Sequence, residues 1–111
     1  MAQPSREKMI LLEDYLQTVA FVAKSLSDEN RLRILLCVNN EKKSVSSIVE
    51  ELNLSQPLIS HHLKELRRAL LVKVERSGPF VYYELADPRI LKILAALQNL
   101  ATDLLAARTS F

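Results

Sequence analysis

The residues of this chain whose type and grouping could do chemistry are one cysteine, two adjacent histidines, and a run of polar groups around them. Cys37 stands between Leu36 and Val38, the setting of a thiol that packs as a small hydrophobe. A single cysteine forms no disulfide within the chain, which agrees with a reducing compartment; a thiol switch would need Cys37 paired across two copies. His61 and His62 would point ~100° apart on a helix, and no cysteine or carboxylate is spaced to complete a tetrahedron around a metal there. The sequence has no glycine-rich phosphate loop, no His-Glu-x-x-His and no cysteine beside a histidine, so an enzyme is not expected. Recognition chemistry remains. Within Leu54 to Leu66 (LSQPLISHHLKEL), Gln56, Ser60, His61 and Lys64 offer amide, hydroxyl, imidazole and ammonium groups, a set able to bond to a DNA groove.

Such groups need a rigid carrier, and the spacing predicts a helix. Ser55 is the N-cap candidate, its side-chain oxygen free to accept from an unpaired first-turn amide. Pro57 follows at a first-turn position, where a missing N–H costs nothing and a fixed φ helps. Ile59, Leu63, Leu66 and Leu70 recur at helical spacing and build one apolar stripe. Pro57, His61, Lys64 and Arg68 point almost directly away from it, and Gln56 and Ser60 flank it. His62 projects nearer the apolar side and is expected to pack against the preceding, third helix.

The other elements frame this helix. A first helix is expected from about Ser5 to Ser25, with Met9, Leu12, Leu16, Val19, Phe21 and Val22 as apolar surface. Ser27 or Asp28 caps a second, running to about Asn39, with Leu32, Leu35, Leu36 and Val38 buried. After a turn at Glu41-Lys42-Lys43, a third helix of about Ser46 to Leu52 turns Val45, Ile48, Val49 and Leu52 inward. Asn53 and Leu54 connect it tightly to the polar-faced helix, which makes a helix-turn-helix.

After Leu71 the apolar period changes to two. Val72 to Arg76 alternates, Ser77-Gly78-Pro79 turns, and Phe80 to Leu85 returns as an aromatic, β-branched strand, the wing of a winged helix. Asp87-Pro88 starts a last helix to about Ala107, whose apolar set is too wide for one contact face. The first helix has a similar surplus, so both are expected to pack against a second copy. The expected fold is α+β, mainly α: a winged helix-turn-helix with five helices and a two-stranded β-hairpin wing, in one domain over residues 1–111.

Composition agrees. Of 111 residues, 49% are hydrophobic and 25% charged, which excludes a disordered chain; one glycine and four prolines leave room for much helix. The apolar runs, such as Ile93 to Leu97, fall short of the ~20 residues that span a bilayer, and no leader pattern opens the chain. A cytoplasmic protein without a membrane partner is expected. The formal charge of +2 says little, but Ser55 to Ser77 holds five cations against two carboxylates, a local excess of +3. That excess suits phosphate contact, although a solvated helix face would read the same way.

On these residues the chain resembles the ArsR/SmtB family of bacterial and archaeal transcriptional regulators. The resemblance covers roughly Leu16 to Leu105, and its most specific pieces are Ser27 to Leu35, Leu54 to Leu66, and Gly78 with the Tyr82-Tyr83 strand. Leu71 departs from it, since many members have glycine after the reading helix. The resemblance implies a homodimer joined by its first and last helices, here through Leu12, Leu16, Val19, Leu94, Leu97, Leu100, Ala101 and Leu104. Double-stranded DNA carrying an imperfect inverted repeat is the implied partner, with half-sites about one turn, ~34 Å, apart. Gln56, Pro57, Ser60 and His61 match the family positions that contact bases or nearby backbone, beside the cap Ser55, while Lys64, Arg68 and wing Arg76 suit phosphate. For His61 the alternative is an exposed, neutral surface histidine.

The family's metal triggers do not match. Its arsenic-type Cys-Val-Cys run falls on Ser44-Val45-Ser46, and hydroxyls are poor ligands for thiophilic ions. Its zinc-type positions fall on Asp87, Arg89, Leu100 and Asp103, where a cation and a leucine cannot ligate. No metal and no cofactor are expected. A repressor released by a non-metal or unknown effector is the leading reading; a constitutive repressor and a protein-interaction module without DNA reading are the alternatives. The apolar helices could also enclose a small molecule, although dimer core accounts for the same residues.

Overall fold

The computed structural model describes residues 13–108. Five helices and one hairpin follow in order: α1 (Leu16–Ser25), α2 (Glu29–Cys37), α3 (Val45–Leu52), α4 (Gln56–Arg68), β1 (Val72–Ser77), β2 (Phe80–Leu85) and α5 (Arg89–Arg108). The expected architecture is borne out. Ile34, Leu35, Val38, Ile48, Ile59, Leu63 and Leu66 form the fully buried centre, where α2, α3 and α4 meet. Each such side chain contributes about 1.5–3 kcal/mol of burial.

Local chemistry sets the helix boundaries. Tyr15 leaves helical geometry (φ −112°, ψ 13°), so α1 starts at Leu16 and not as one unbroken helix from Ser5; Met9 and Leu12 lie outside the described residues. Asp28, not Ser27, caps α2: its Oδ1 accepts from Asn30 N at 2.8 Å and Arg31 N at 3.1 Å, while the Ser27 hydroxyl turns back to Lys24 O. The helix stops at Cys37, two residues early. Its buried stripe also differs from expectation: Ile34 is inside and Leu36 is 59% exposed. Ile34, Leu35 and Val38 share one face at 3.6 residues per turn, and Leu36 falls off it. Ser44 caps α3, which begins at Val45, one residue ahead of the expected start, the Ser44 Oγ accepting from Ser47 N.

The end of α4 corrects the reading-helix stripe. Ala69 caps the helix, and Leu70 adopts φ +62° and is 80% exposed, so it does not continue the row of Ile59, Leu63 and Leu66. Leu70 N bonds to Arg67 O at 3.0 Å and Leu71 N to Leu66 O at 3.0 Å, the paired bonds of a Schellman motif. Leu71 and Leu66 are both buried, supplying its apolar contact. The glycine-favouring position is therefore Leu70, one residue before the departure noted at Leu71.

The hairpin pairs Val72 with Leu85 through Ser77 with Phe80. Its loop is Gly78-Pro79, with Gly78 at φ +61°. A positive first φ followed by proline's fixed negative φ fits a type II′ turn and excludes type I′. Lys43 adds an antiparallel bridge to Tyr83 with N–O distances of 2.9 and 2.8 Å, so the turn before α3 anchors the wing. Asp87 opens α5 by accepting from Arg89 N at 2.9 Å. Only Ile90 of α5 is fully part of the core, with Leu94 packed against it; Ile93, Leu97, Leu100, Leu104 and Leu105 are all about half exposed or more. Although no unbroken apolar run is long, α5 does reach bilayer-span length and a mean hydropathy of 1.4.

Candidate nucleic-acid interface

The helix-turn-helix is built by two sharp local signals. Asn53 ends α3 in the left-handed region (φ 54°), a conformation asparagine tolerates better than most residues. Two residues later Ser55, extended at φ −66° and ψ 150°, accepts from Leu58 N at 3.3 Å and starts α4, with Pro57 in the first turn. Ile59, Leu63 and Leu66 then lock one side of α4 into the core. That anchoring turns Ser55, Gln56, Pro57, Ser60, His61, Lys64 and Arg68 to solvent together.

The two histidines separate as their spacing requires. His61 is exposed among the candidate contacts, and His62 is 5% exposed, with ring centroids 5.5 Å apart. The polar neighbours of His62 are Arg31 in the first turn of α2 and Asp28, the cap of that helix. Nδ1 accepts from Arg31 Nε at 3.2 Å, and Nε2 lies 3.7 Å from Asp28 Oδ1. Burial holds its pKa below the ordinary histidine value, against the attraction of Asp28 and with the help of Arg31 and His61.

Charge availability divides the cations. Lys42 pairs with Glu75 at 2.7 Å, Lys43 with Glu51 at 2.5 Å, and Lys73 with Glu84 at 3.7 Å. Arg68 lies 3.5 Å from Glu65 in an exposed pair that contributes little. Among the described residues, Lys64, Arg67 and Arg76 have no ion-pair partner. Arg67 was not singled out as a contact from the sequence. It stands seven residues after Ser60, on the same side of α4, so that spacing was the available signal. Arg76 is on a separate element, exposed one residue before the end of β1 and paired across the ladder with Val81.

The metal-type positions do other work. Ser44 caps α3. Both Asp87 oxygens accept from the Arg89 guanidinium, the shortest contact being 2.7 Å, and this partner lowers the Asp87 pKa to about 2. The hydroxyls of Ser44 and Ser46 do not suit a thiophilic ion, and a separate set that includes the Arg89 cation and Leu100 does not suit zinc. Among the described residues no three metal-ligating side chains gather. Cys37 is buried, donates to Glu51 Oε2 at 3.2 Å, and lies 3.7 Å from Lys43 Nζ. Burial, then the Glu51 bond, raises its pKa to about 11.

Comparison with known proteins agrees with this geometry. Residues 28–74 match the family described as bacterial regulatory protein, arsR family. Over 90 residues the chain is 36% identical to an uncharacterised HTH-type transcriptional regulator of Methanocaldococcus jannaschii, covering 80% of this chain and 100% of that one. The transcriptional repressor SdpR of Bacillus subtilis is 39% identical over 64 residues, 58% of this chain and 71% of that one. A homodimeric winged helix-turn-helix DNA-binding domain from Mycobacterium bovis, described as a possible ArsR-family transcriptional regulator, superposes with a TM-score of 0.71. It is 29% identical, over 93% of this chain and 92% of that one.

Proposed function

This chain belongs to the ArsR family of bacterial regulatory proteins, DNA-binding winged-helix transcriptional regulators and not enzymes, and on that premise we propose a homodimeric repressor of an inverted-repeat operator. The observation that carries the reading is the division of α4: Ile59, Leu63 and Leu66 are buried while Gln56, Ser60, His61 and Lys64 are exposed together. Gln56 can take adenine through its amide, and Ser60 and His61 make shorter, adaptable bonds. Ser55 and Pro57 shape the entry of the helix beside the backbone. Lys64, Arg68 and wing Arg76 hold phosphate and fix the register, joined by Arg67.

Dimer formation is supported by the exposed apolar residues of α1 and α5. Leu16, Val19, Leu97, Leu100 and Leu104 stand about half exposed, Ala101 is exposed beside them, and Leu94 joins them to the core. A groove of about 610 Å³ between α1 and α5, lined by Val19, Val22, Leu26, Ile90, Ile93 and Leu97, suits a partner's side chains. Bilayer insertion is the weaker account of α5, because Gln98 and Asn99 fall at its centre and Lys92 and Asp103 within it. Release from DNA then follows from population shift: an effector that prefers the DNA-incompetent dimer weakens operator affinity by its own differential. The residues present favour an effector other than the family's thiolate- or imidazole-bound metals, in a protein acting in the cytoplasm.

The test is a gel shift with the DNA upstream of its own gene, repeated across salt concentrations. Sequence-dependent retardation with a steep salt slope is expected. A protein-interaction module would give neither, and the unpaired Lys64, Arg67 and Arg76 stand against that reading.

A further inference from the structure

His62 is not used by the reading above, yet it is the buried polar group closest to the proposed contacts. It sits on α4 next to exposed His61, while Arg31, its hydrogen-bond partner, and Asp28, 3.7 Å from Nε2, belong to the first turn of α2 and its cap. A guanidinium has only donors, so Nδ1 must accept from Arg31 Nε and the ring proton belongs on Nε2, the nitrogen nearer Asp28. Asp28 is fixed in turn by two amides of the α2 N-terminus. Reading helix and α2 are thus joined by a hydrogen bond that exists in one tautomer and one charge state.

We propose that His62 is a positioning residue for the reading helix: as a neutral imidazole bonded to Arg31 it seats α4 on α2, and protonation of the ring unseats α4 and weakens operator binding. This rests on the operator reading proposed above. An imidazolium has no acceptor, so after protonation the Arg31 Nε–H, 3.2 Å away, meets an N–H of like charge. The groups that face the ring are Asp28, which favours the charged form, and Arg31 and His61, which oppose it; burial adds to the opposition and dominates. The bond is therefore intact when His62 is neutral and is lost as pH falls through its lowered midpoint.

The measurement is the ratio of operator affinity to scrambled-duplex affinity from about pH 7.5 to about pH 5, which cancels charge effects common to both duplexes. For the unaltered protein the ratio falls below the His62 midpoint, by linkage at most about tenfold per pH unit for each His62 and so about a hundredfold for the dimer. His62→Gln keeps an acceptor for Arg31 and does not titrate, so it rescues binding with a ratio that stays flat. His62→Leu leaves Arg31 without an acceptor and lowers the ratio at every pH. A ratio that holds in the unaltered protein, or falls equally in His62→Gln, overturns the proposal. Absence of operator binding even at neutral pH sinks the operator reading, and nitrogen NMR of the DNA-free protein then decides alone. It should show His62 as the Nε2–H tautomer, titrating below the unfolded chain, with amide shifts in α4 and early α2 following the same midpoint. An Nδ1–H tautomer, or titration without those shifts, rejects the idea.

Discussion

Ser60 and His61 owe their proposed role to what they lack: both are exposed, and neither side chain is committed to a hydrogen bond or ion pair within the described residues. Replacing either with alanine is expected to weaken operator binding by about 1–3 kcal/mol and relax preference at one base step. Competition against operators varied at single positions reads both effects, and a uniform loss across all variants would move these residues to the phosphate class. Cys37 makes the opposite case. Its thiol is buried and bonded to Glu51, and at a pKa of about 11 almost no thiolate exists at neutral pH. Because the thiolate is the nucleophile, a disulfide reagent should react slowly with the folded protein near neutrality and speed up towards the alkaline midpoint. Fast labelling of native protein at neutral pH would contradict this burial and reopen a redox role.

At the scale of elements, the Schellman end of α4 and the wing make separate predictions. Leu70 holds a left-handed backbone while burying almost nothing. That conformation costs an L-residue about 1–2 kcal/mol, and glycine's greater unfolded freedom takes back about 0.5–1. Leu70→Gly should therefore stabilise by up to about 1 kcal/mol, seen as a higher urea midpoint at unchanged slope, while Leu70→Ala gives no such gain. On the wing, Arg76→Ala should weaken all sequences about equally and reduce the salt slope by roughly one unit per half-site. A changed base preference would show that the wing reads sequence. These two sites also mark how far the sequence was legible. Caps, the tight turn after α3, the Gly78 turn and the buried side of α4 as far as Leu66 carry local signals, because serine, asparagine, glycine and apolar spacing each act within a few residues. The stop at Ala69 carried no such signal, since leucine is a strong helix former and occupies a position that favours glycine. His62's partners were hidden for another reason: the Arg31 contact spans 31 residues, and no periodicity reports a tertiary bond. Leu36 was misplaced because adjacent leucines look alike until the helix phase is fixed by Ile34 and Val38.

For the whole molecule, the proposed operator makes function depend on two copies held at one spacing. A single reading helix covers one half-site, and two copies add their binding only if α1 and α5 set the helices about one DNA turn, ~34 Å, apart. Leu97 is the residue that tests this. It is 48% exposed and borders both the α1–α5 groove and the neighbouring groove bounded by Leu32 and Leu36. Leu94 is a poorer probe, since it packs against the core, and Ile90, 7% exposed, would compromise folding. A charge at Leu97 costs little in the isolated chain but would be buried and unpaired in the dimer. Leu97→Lys should therefore keep its helical circular dichroism while its mass in sedimentation falls from two chains to one. Full-operator affinity should fall to the level of a single half-site, and inserting half a helical turn between half-sites should cost the unaltered dimer much while leaving the variant unaffected. A Leu97→Lys protein that still sediments as two chains would place the interface elsewhere and remove α5 from the assembly.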